Sequence, residues 1–280
     1  MSVRIVSLVP SLTELLCALG LREQLVGRTG FCIHPREALR DVPKVGGTKD
    51  VDVERVRQLA PTHLVVNVDE NDRSTVERLA GSVPNVIVTH PLTVQGNLAL
   101  FERFGTEFGE VAGVRQAAAA LSQRLRAAID AARARRFEPL PVLYLIWKDP
   151  WMSVGRDTFI ASMLAEAGLR SVIRASEPRY PSLALAQIAD SGAHAVLLSS
   201  EPYRFGEAHC AALRKSLAGL ARLAPAGDRP ASGVPLCATI DGEMVSWYGS
   251  RAIDGLYYLI DYRERLERAL DAVAAHGGMQ

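Results

Sequence analysis

Aromatic, sulfur-bearing and ionisable side chains recur in this sequence just after segments that predict strands. In an open α/β sheet, ligands bind outside the carboxyl ends of the strands, so such positions are candidates for contact with a ligand. The candidates in the first half of the chain are Phe31, Cys32, His34, Asn67 and Glu70. The candidates in the second half are Trp147, Trp151, Tyr203, Trp247, Tyr248 and Arg251.

All three tryptophans of the chain, Trp147, Trp151 and Trp247, fall among these positions. A single tryptophan in a loop can simply cover a hydrophobic edge of the fold. Three of them near strand ends favour a flat, largely apolar ligand over a small ion, because an indole ring offers a wide apolar face with one polar N–H.

Cys32 and His34 are two positions apart and could bind a transition metal, since sulfur and imidazole suit zinc, copper or cobalt. Two ligands do not complete a metal site, and the sequence has no HExxH motif. A narrower alternative is that His34 is an axial ligand to the metal of a bound complex. Both alternatives stay open at the level of the sequence.

Motifs of the common nucleotide-binding and hydrolytic enzymes are absent. The sequence contains no GxxxxGK[ST] loop, no GxGxxG after a strand and no GxSxG turn. The sequence therefore predicts binding without catalysis, and no tightly bound cofactor.

Strand and helix patterns alternate along both halves of the chain, which indicates sheets of parallel type flanked by helices. Ser11 followed by Glu14 predicts a capping box at the start of the first helix. The predicted strands include residues 5–8, 63–67 and 86–89 in the first half and 142–146, 195–199 and 236–240 in the second.

An alanine-rich segment from 114 to about 137 separates the halves and has a very high helix propensity. At about 1.5 Å per residue this helix would span roughly 35 Å. The sequence thus predicts an α/β fold of two lobes, each with a parallel-type sheet flanked by helices, bridged by one long backbone helix. The expected parts are an N-terminal lobe at 1–112, the bridging helix at 113–137 and a C-terminal lobe at 138–280, with a ligand cleft between the lobes.

The composition is that of an ordinary globular protein, with 48% hydrophobic and 22% charged residues among 280. A formal net charge of +1 gives no electrostatic support for binding nucleic acid. The first residues lead directly into a predicted strand, so the chain is expected to be cytoplasmic as written and periplasmic if its start is mis-assigned. No coiled-coil heptad is present, and we expect a monomer.

Three groups of residues resemble the class III periplasmic binding proteins, which bind cobalamin, haem and iron(III)-siderophores for ABC importers. The segment from Ser7 to Glu14, SLVPSLTE, is similar to the opening of that family. VGGTKDVDVERV from Val45 to Val56 resembles its second hallmark, and WMSVGRDTFI from Trp151 to Ile160 resembles its second lobe. The resemblance covers nearly the whole chain and is specific to the fold rather than to one ligand.

The resemblance implies a bulky metal chelate as ligand, with a corrinoid favoured and an iron(III)-siderophore or haem next. Aromatic ligand contacts in the cobalamin-binding branch fall near Phe31, Tyr180 and Trp247, and Ser11 lies in the first hallmark. The resemblance therefore adds Ser11 and Tyr180 to the candidate residues. A siderophore would instead require several cationic side chains, for which the candidates are Arg28, Arg179, Arg204 and Arg251.

The chain departs from the family pattern at positions linked to transport. Arg73 and Ala186 stand where family members present acidic side chains to an ABC permease, and Ala167 replaces one cysteine of a disulfide in the cobalamin branch. The departures favour a soluble relative whose docking on a permease is doubtful, although Glu70 could act as a shifted docking acid.

Two further interpretations remain. One is an enzyme that handles a tetrapyrrole, such as a metal chelatase, with His34 and either Glu70 or Glu201 as metal-binding or proton-transfer groups. The other is a scaffold with a vestigial cleft, in which the aromatic candidates would be replaceable by alanine without consequence.

Overall fold

Strands and helices alternate along the chain, as the hydrophobic pattern predicts. The computed structural model describes residues 2–223 and 234–277. The strands are β1 (Ile5–Ser7), β2 (Leu25–Arg28), β3 (His63–Asn67), β4 (Asn85–Thr89), β5 (Leu140–Trp147), β6 (Trp151–Ser153), β7 (Leu169–Ser171), β8 (Ser182–Leu183), β9 (Ala195–Ser199) and β10 (Leu236–Ile240). The helices are α1 (Pro10–Ala18), α2 (Val53–Gln58), α3 (Arg73–Ala80), α4 (Gly96–Glu107), α5 (Val114–Ala134), α6 (Phe159–Glu166), α7 (Leu185–Ala189), α8 (Glu207–Leu223), α9 (Gly242–Ser246) and α10 (Arg251–Gly277).

The chain divides into two compact units. The first comprises Met1–Ala127 and Trp247–Ile253, and the second comprises Ala128–Ser246 and Asp254–Gln280. The long helix α5 contributes residues to both units, and so does α10. The predicted fold class, a two-lobed α/β protein with a long backbone helix, is confirmed.

The first unit contains a four-stranded sheet in the order β2-β1-β3-β4, and every neighbouring pair is parallel. Strand β3 is buried along its whole length, as expected of a strand covered by helices on both faces. One face packs in a core that includes Val6, Leu64 and Val66 with Val56 from α2 and Leu79 from α3. This packing fixes where the carboxyl ends of β1, β2 and β3 lie.

The second unit contains a six-stranded sheet, in which five strands follow the order β10-β9-β5-β6-β8 and β7 pairs with β5. Strands β5, β9 and β10 are parallel, whereas β6 runs antiparallel to both β5 and β8. The sheet is therefore mixed, because a tight turn after Trp147 returns the chain as β6 beginning at Trp151. The sequence pattern did not distinguish this hairpin from a loop.

The predicted capping box at the first helix is wrong. Val9 is the N-cap residue, and Pro10 is the first helical residue, a position where a missing N–H costs nothing. Ser11 therefore lies inside the first turn and is buried. Glu14 forms an ion pair elsewhere instead of closing the cap.

Helix α5 runs from Val114 to Ala134, a little shorter than the predicted segment. It ends before Arg136, which adopts a positive φ of 50° that a helix cannot continue through. Leu121, Leu125 and Ile129 are buried along one stripe, as their four-residue spacing predicts. None of the helices within 2–223 and 234–277 combines the length and apolarity needed to cross a membrane.

Candidate functional site

The candidate residues fall into two groups, one in each unit, and each group is described by itself. The first unit holds Ser11, Phe31, Cys32, His34, Asn67, Glu70, Trp247, Tyr248 and Arg251. The second unit holds Trp147, Trp151, Tyr180 and Tyr203.

The loop after β2 presents Phe31 at the surface of the first unit. The Phe31 side chain is 63% exposed. The loop is organised from inside by Arg28, whose Nη1 donates to the carbonyls of Thr29 at 3.1 Å and Cys32 at 3.0 Å. Arg28 Nε and Nη2 also donate to the carbonyl of Leu39 at 3.2 and 3.0 Å. The buried guanidinium thus fixes a loop that exposes an aromatic ring.

Cys32 points into the unit rather than toward solvent. Its side chain is fully buried, and its Sγ lies 3.0 Å from Thr13 Oγ1, which donates to it, and 3.1 Å from Thr29 Oγ1. Burial raises the pKa of this thiol, so the neutral form persists at neutral pH. The geometry gives Cys32 a role in holding the loop against α1.

The carboxyl end of β3 carries a second polar group of the first unit. Asn67 is buried, and its amide nitrogen donates to the Thr89 carbonyl at 3.1 Å, which ties β3 to β4. Its side-chain oxygen accepts from the Asp69 backbone N–H at 2.8 Å, which shapes the exit loop. Glu70 follows in that loop and accepts a hydrogen bond from the Tyr248 hydroxyl at 2.7 Å.

Trp247 lies between a cation and an imidazole in the first unit. The Arg251 guanidinium carbon lies 4.8 Å from the centre of the Trp247 ring, within the range of a cation–π contact. The His34 ring meets Trp247 in an edge-on arrangement, with 5.5 Å between centroids. Arg251 also forms a bidentate ion pair with Glu14, both distances being 2.8 Å.

The second unit gathers four rings at the carboxyl ends of β5 and β9. Trp147 contacts Tyr203 edge-on at 5.5 Å, and Tyr203 contacts Phe205 at 4.5 Å between centroids. Phe205 stacks on Trp151 at 5.9 Å with only 10° between the planes. Trp147, at 40% exposed, is the outermost side chain of this cluster, since Phe205 is buried. The four residues form one aromatic surface on a packed base.

Tyr180 is the remaining candidate of the second unit. It is 40% exposed and precedes β8. The Arg179 guanidinium lies 5.8 Å from the centre of the Tyr180 ring. An exposed aromatic ring next to a cation can stack on a flat ligand while the cation meets a polar rim.

The described ranges, 2–223 and 234–277, contain no cluster of three or more His, Cys, Asp or Glu side chains that could hold a metal ion. The alternative in which Cys32 and His34 are two ligands of one metal is not supported, because the Cys32 thiol is enclosed by Thr13 and Thr29. His34, half-buried against Trp247, keeps the narrower role as a candidate axial ligand.

Sequence reasoning missed the supports of the site. The sequence predicts Glu14 as part of a helix cap and offers Arg28 as a cation for a chelate. In the structure, Glu14 binds a side chain and Arg28 binds a backbone carbonyl of the first unit. Asn97 was not singled out, yet its side-chain oxygen accepts from the Gly249 N–H at 2.6 Å. The sequence feature that could have identified Glu14 in α1 and Asn97 in α4 is a polar side chain on an otherwise apolar helix face.

The positions tied to permease docking are also visible. Arg73 begins α3, is exposed and pairs with Glu77 at 2.7 Å. Ala186 is exposed on α7. Ala167 is buried, and all four cysteines are free thiols. Neither surface position carries an acid.

The sequence matches the family described as "Periplasmic binding protein" over residues 5–209. The chain belongs to this family of binding proteins. The family and the relatives it resembles are not enzymes, which confirms the prediction that the chain is a non-catalytic binding protein and leaves no support for the chelatase alternative.

Relatives and solved structures agree with this assignment. The vitamin B12-binding protein of Pectobacterium atrosepticum is 21% identical over 198 residues, which are 70% of this chain and 71% of the relative. The structure of the periplasmic vitamin B12 binding protein BtuF of Vibrio cholerae superposes with a TM-score of 0.75 at 16% identity, covering 94% of this chain and 97% of that one. The periplasmic haem binding protein HutB of Vibrio cholerae gives a TM-score of 0.74 at 22% identity, covering 94% and 98%. At these identities the structural likenesses establish the fold.

Proposed function

We propose that this chain binds a bulky metal chelate, with a cobalamin or another corrinoid favoured and an iron(III)-siderophore or haem next. The observation that supports this ligand class is the exposure of large aromatic rings at predicted ligand-binding positions. Phe31, Trp147 and Tyr180 remain exposed although such side chains are normally buried. Exposed apolar surface of this kind marks a binding site for a partner with an apolar face.

The proposed contacts follow from burial. Phe31, His34 and Glu70 in the first unit and Trp147, Trp151, Tyr180 and Tyr203 in the second contact the ligand. Buried and half-buried residues support them: Ser11, Cys32 and Asn67 shape the loops, and Tyr248, Trp247 and the half-buried Arg251 hold Glu70 and His34 in place. Aromatic rings stack on the macrocycle, while carboxylate and amide groups accept hydrogen bonds from its rim.

Relatives of this chain are named for binding vitamin B12, which supports the preference for a corrinoid. His34 is the proposed axial ligand to the metal of the bound chelate, since a neutral imidazole is a good ligand for cobalt and iron. Displacement of a weak axial ligand by imidazole would change the visible absorption spectrum of the chelate. A His34→Ala variant that binds with the spectrum of the wild-type complex would contradict this role.

We further propose that the chain acts as the binding component of an import system, the role of its family, through a contact that does not use acids at Arg73 and Ala186. A reconstituted cobalamin-type ABC importer tests this point by its ATPase rate. The Arg73→Glu and Ala186→Glu substitutions are expected to leave the stimulation of ATPase unchanged. Stimulation that rises with the added acids would show that docking runs through these two positions and would contradict the proposal. The compartment stays a prediction, with the family name favouring the periplasm.

The experiment that tests the ligand class is titration of the purified chain with cyanocobalamin, cobinamide, haem and a panel of ferric siderophores, following tryptophan fluorescence. Saturable quenching by one chelate at micromolar or lower concentration is expected. Absence of saturable quenching by all of them would overturn the proposal and favour the scaffold interpretation.

A further inference from the structure

Glu14 holds Arg251 in one orientation against Trp247. Arg251 Nε and Nη2 each donate to a different oxygen of Glu14, both at 2.8 Å. A bidentate pair fixes the plane of a guanidinium as well as its position. The guanidinium carbon lies 4.8 Å from the centre of the Trp247 ring. The side chain of Glu14 therefore fixes both the position and the orientation of the Arg251 guanidinium over the indole ring of Trp247.

The same indole orients His34. The two rings meet at 68° with 5.5 Å between their centroids, and Trp247 is only 7% exposed. Because Trp247 is buried, its ring plane cannot change without a change in its neighbours. A displacement of the Arg251 side chain would therefore move the Trp247 ring, and the movement of that ring would displace the His34 ring.

We infer that Glu14 is a positioning residue of the binding site and also sets its charge preference. By engaging Arg251, Glu14 fixes the Trp247 ring, which presents His34 to the ligand, and keeps a cation away from the rim of the ligand. The site then favours a chelate with a rim of neutral amides, such as a corrinoid, over one with carboxylates, such as haem. This inference rests on the proposed function.

Arg28, the other arginine that the sequence assigned to an anionic chelate in this unit, is engaged as well. It is 7% exposed and donates to three backbone carbonyls, those of Thr29, Cys32 and Leu39. An anion that bound Arg28 would have to break these contacts, and one that bound Arg251 through Nε and Nη2 would have to displace Glu14. Leaving a buried acceptor without a donor carries a free-energy cost, so the first unit selects against anionic rims.

Contacts other than the Glu14–Arg251 ion pair also attach the segment Trp247–Ile253 to the rest of the first unit. The Gly249 N–H donates to Asn97 Oδ1 at 2.6 Å, and Tyr248 donates to Glu70 at 2.7 Å. Neither contact involves Glu14, so both are expected to persist when Glu14 is replaced. The effect of a Glu14 substitution is therefore expected to be local to Arg251, Trp247 and His34.

The first experiment needs no ligand. In a Trp147→Phe/Trp151→Phe background, Trp247 is the single tryptophan and can be excited selectively over the tyrosines. Glu14→Gln is then added to this background. We expect a shift in the emission of Trp247 and stronger quenching by acrylamide, because the indole loses its fixed cation. Glu23→Gln, the same chemical change at an exposed acid, is the matched control and should leave both unchanged. Unchanged Trp247 fluorescence in Glu14→Gln would overturn the positioning role.

The second experiment compares cyanocobalamin with haem by calorimetric titration of the chain with its native tryptophans. Glu14→Gln is expected to weaken cyanocobalamin about tenfold and to strengthen haem about threefold. The Glu14→Gln/Arg251→Gln variant should lose the gain for haem, since the released cation is gone. An unchanged affinity ratio in Glu14→Gln would overturn the charge preference.

The two arms separate the possible failures. If the wild-type chain binds neither of these chelates and none of the ferric siderophores, the proposed function fails, and the fluorescence arm alone decides the positioning role. If the wild-type chain binds but Glu14→Gln behaves as the wild type in both arms, the proposed function stands and the inference fails.

Discussion

The Tyr248 hydroxyl donates to Glu70 at 2.7 Å and joins two loops that are 178 positions apart in the sequence. Burial raises the pKa of Tyr248 well above its ordinary value of 10, and the neighbouring Glu70 raises it further. The phenol therefore remains a donor at any physiological pH. This contact holds the Glu70 carboxylate in one place at the carboxyl edge of the first sheet.

Replacement of Tyr248 by Phe is expected to destabilise the chain by about 1–2 kcal/mol and to weaken ligand binding, because Glu70 loses its buried donor. Urea unfolding and fluorescence titration measure the two effects. Tyr257→Phe, at an exposed tyrosine of α10, is the control and should change neither. An unchanged affinity in Tyr248→Phe would exclude a fixed Glu70 as a part of the binding site.

The buried tyrosines also predict a loss of stability at alkaline pH. Burial raises the pKa of Tyr144, whose hydroxyl donates to Ser199 Oγ at 2.8 Å, and the pKa of Tyr248. Above about pH 10 these phenols ionise in the unfolded chain but not in the folded one, so the unfolded state binds fewer protons. The free energy of unfolding must then fall as the pH rises.

Urea unfolding at about pH 8 and about pH 11 measures this slope. Tyr144→Phe is expected to reduce it, because one group with a raised pKa is removed. Tyr257→Phe, the same substitution at an exposed tyrosine, again serves as the control. A slope that is the same in Tyr144→Phe and in the wild type would contradict the assignment.

The strand and helix order could be predicted from the sequence because it depends on local hydrophobic pattern. Strand β9 and helix α7 occur with the predicted bounds, and the core residues of α5 follow from their spacing. The sequence pattern did not predict the hairpin of β5 and β6. Its turn has only three residues, between two tryptophans, and such a turn resembles the loop that follows a parallel strand. Trp147 pairs with Met152 across this antiparallel hairpin.

The positions of the aromatic candidates were predicted better than the roles of the charged ones. Phe31 and Trp147 are exposed at strand ends, as their types and places indicated. Glu14 and Arg251 are separated by 237 positions, so no local pattern predicts their pairing. The contacts of Arg28 could not be predicted either, because its partners are backbone carbonyls, which every residue has and no sequence motif identifies.

The exposed edge of β10 is closed by side chains of α10. Among the described residues, β10 has β9 as its only neighbour in the sheet. Tyr262 donates to the Thr239 carbonyl at 2.9 Å, and the Asp241 N–H donates to the Tyr258 hydroxyl at 2.9 Å. These bonds occupy backbone groups that would otherwise template the pairing of another strand.

Replacing both Tyr258 and Tyr262 by Phe is expected to destabilise the chain by about 1–3 kcal/mol, since a backbone donor and a backbone acceptor lose their partners. It should also increase self-association on concentration, measured by sedimentation velocity. The Tyr257→Phe variant is the control on the same helix. A double variant that stays monomeric at every concentration would contradict the protective role of this edge.

The cysteines predict slow thiol chemistry in the folded chain. Burial raises the pKa of Cys17, Cys210 and Cys237 to about 11. Since the thiolate is the reactive form, the folded chain should react with a disulfide reagent such as DTNB far more slowly than the chain in urea, where all four thiols are equivalent. Rapid reaction of the native chain at about pH 8 would contradict the burial of these side chains.

In the aromatic cluster of the second unit, we expect the exposed ring to matter mainly for ligand binding and the buried ring mainly for folding stability. Trp147 is 40% exposed, so Trp147→Ala removes only part of the area that a fully buried ring would lose and should destabilise the chain by about 1–2 kcal/mol. It should nevertheless weaken a flat ligand about tenfold or more, because the outermost ring of the cluster is lost. Phe205→Ala is the contrasting variant: the ring is buried between Trp151 and Tyr203, and its loss should cost about 3–5 kcal/mol. Full affinity in Trp147→Ala would mean that this cluster is only a packed edge of the fold.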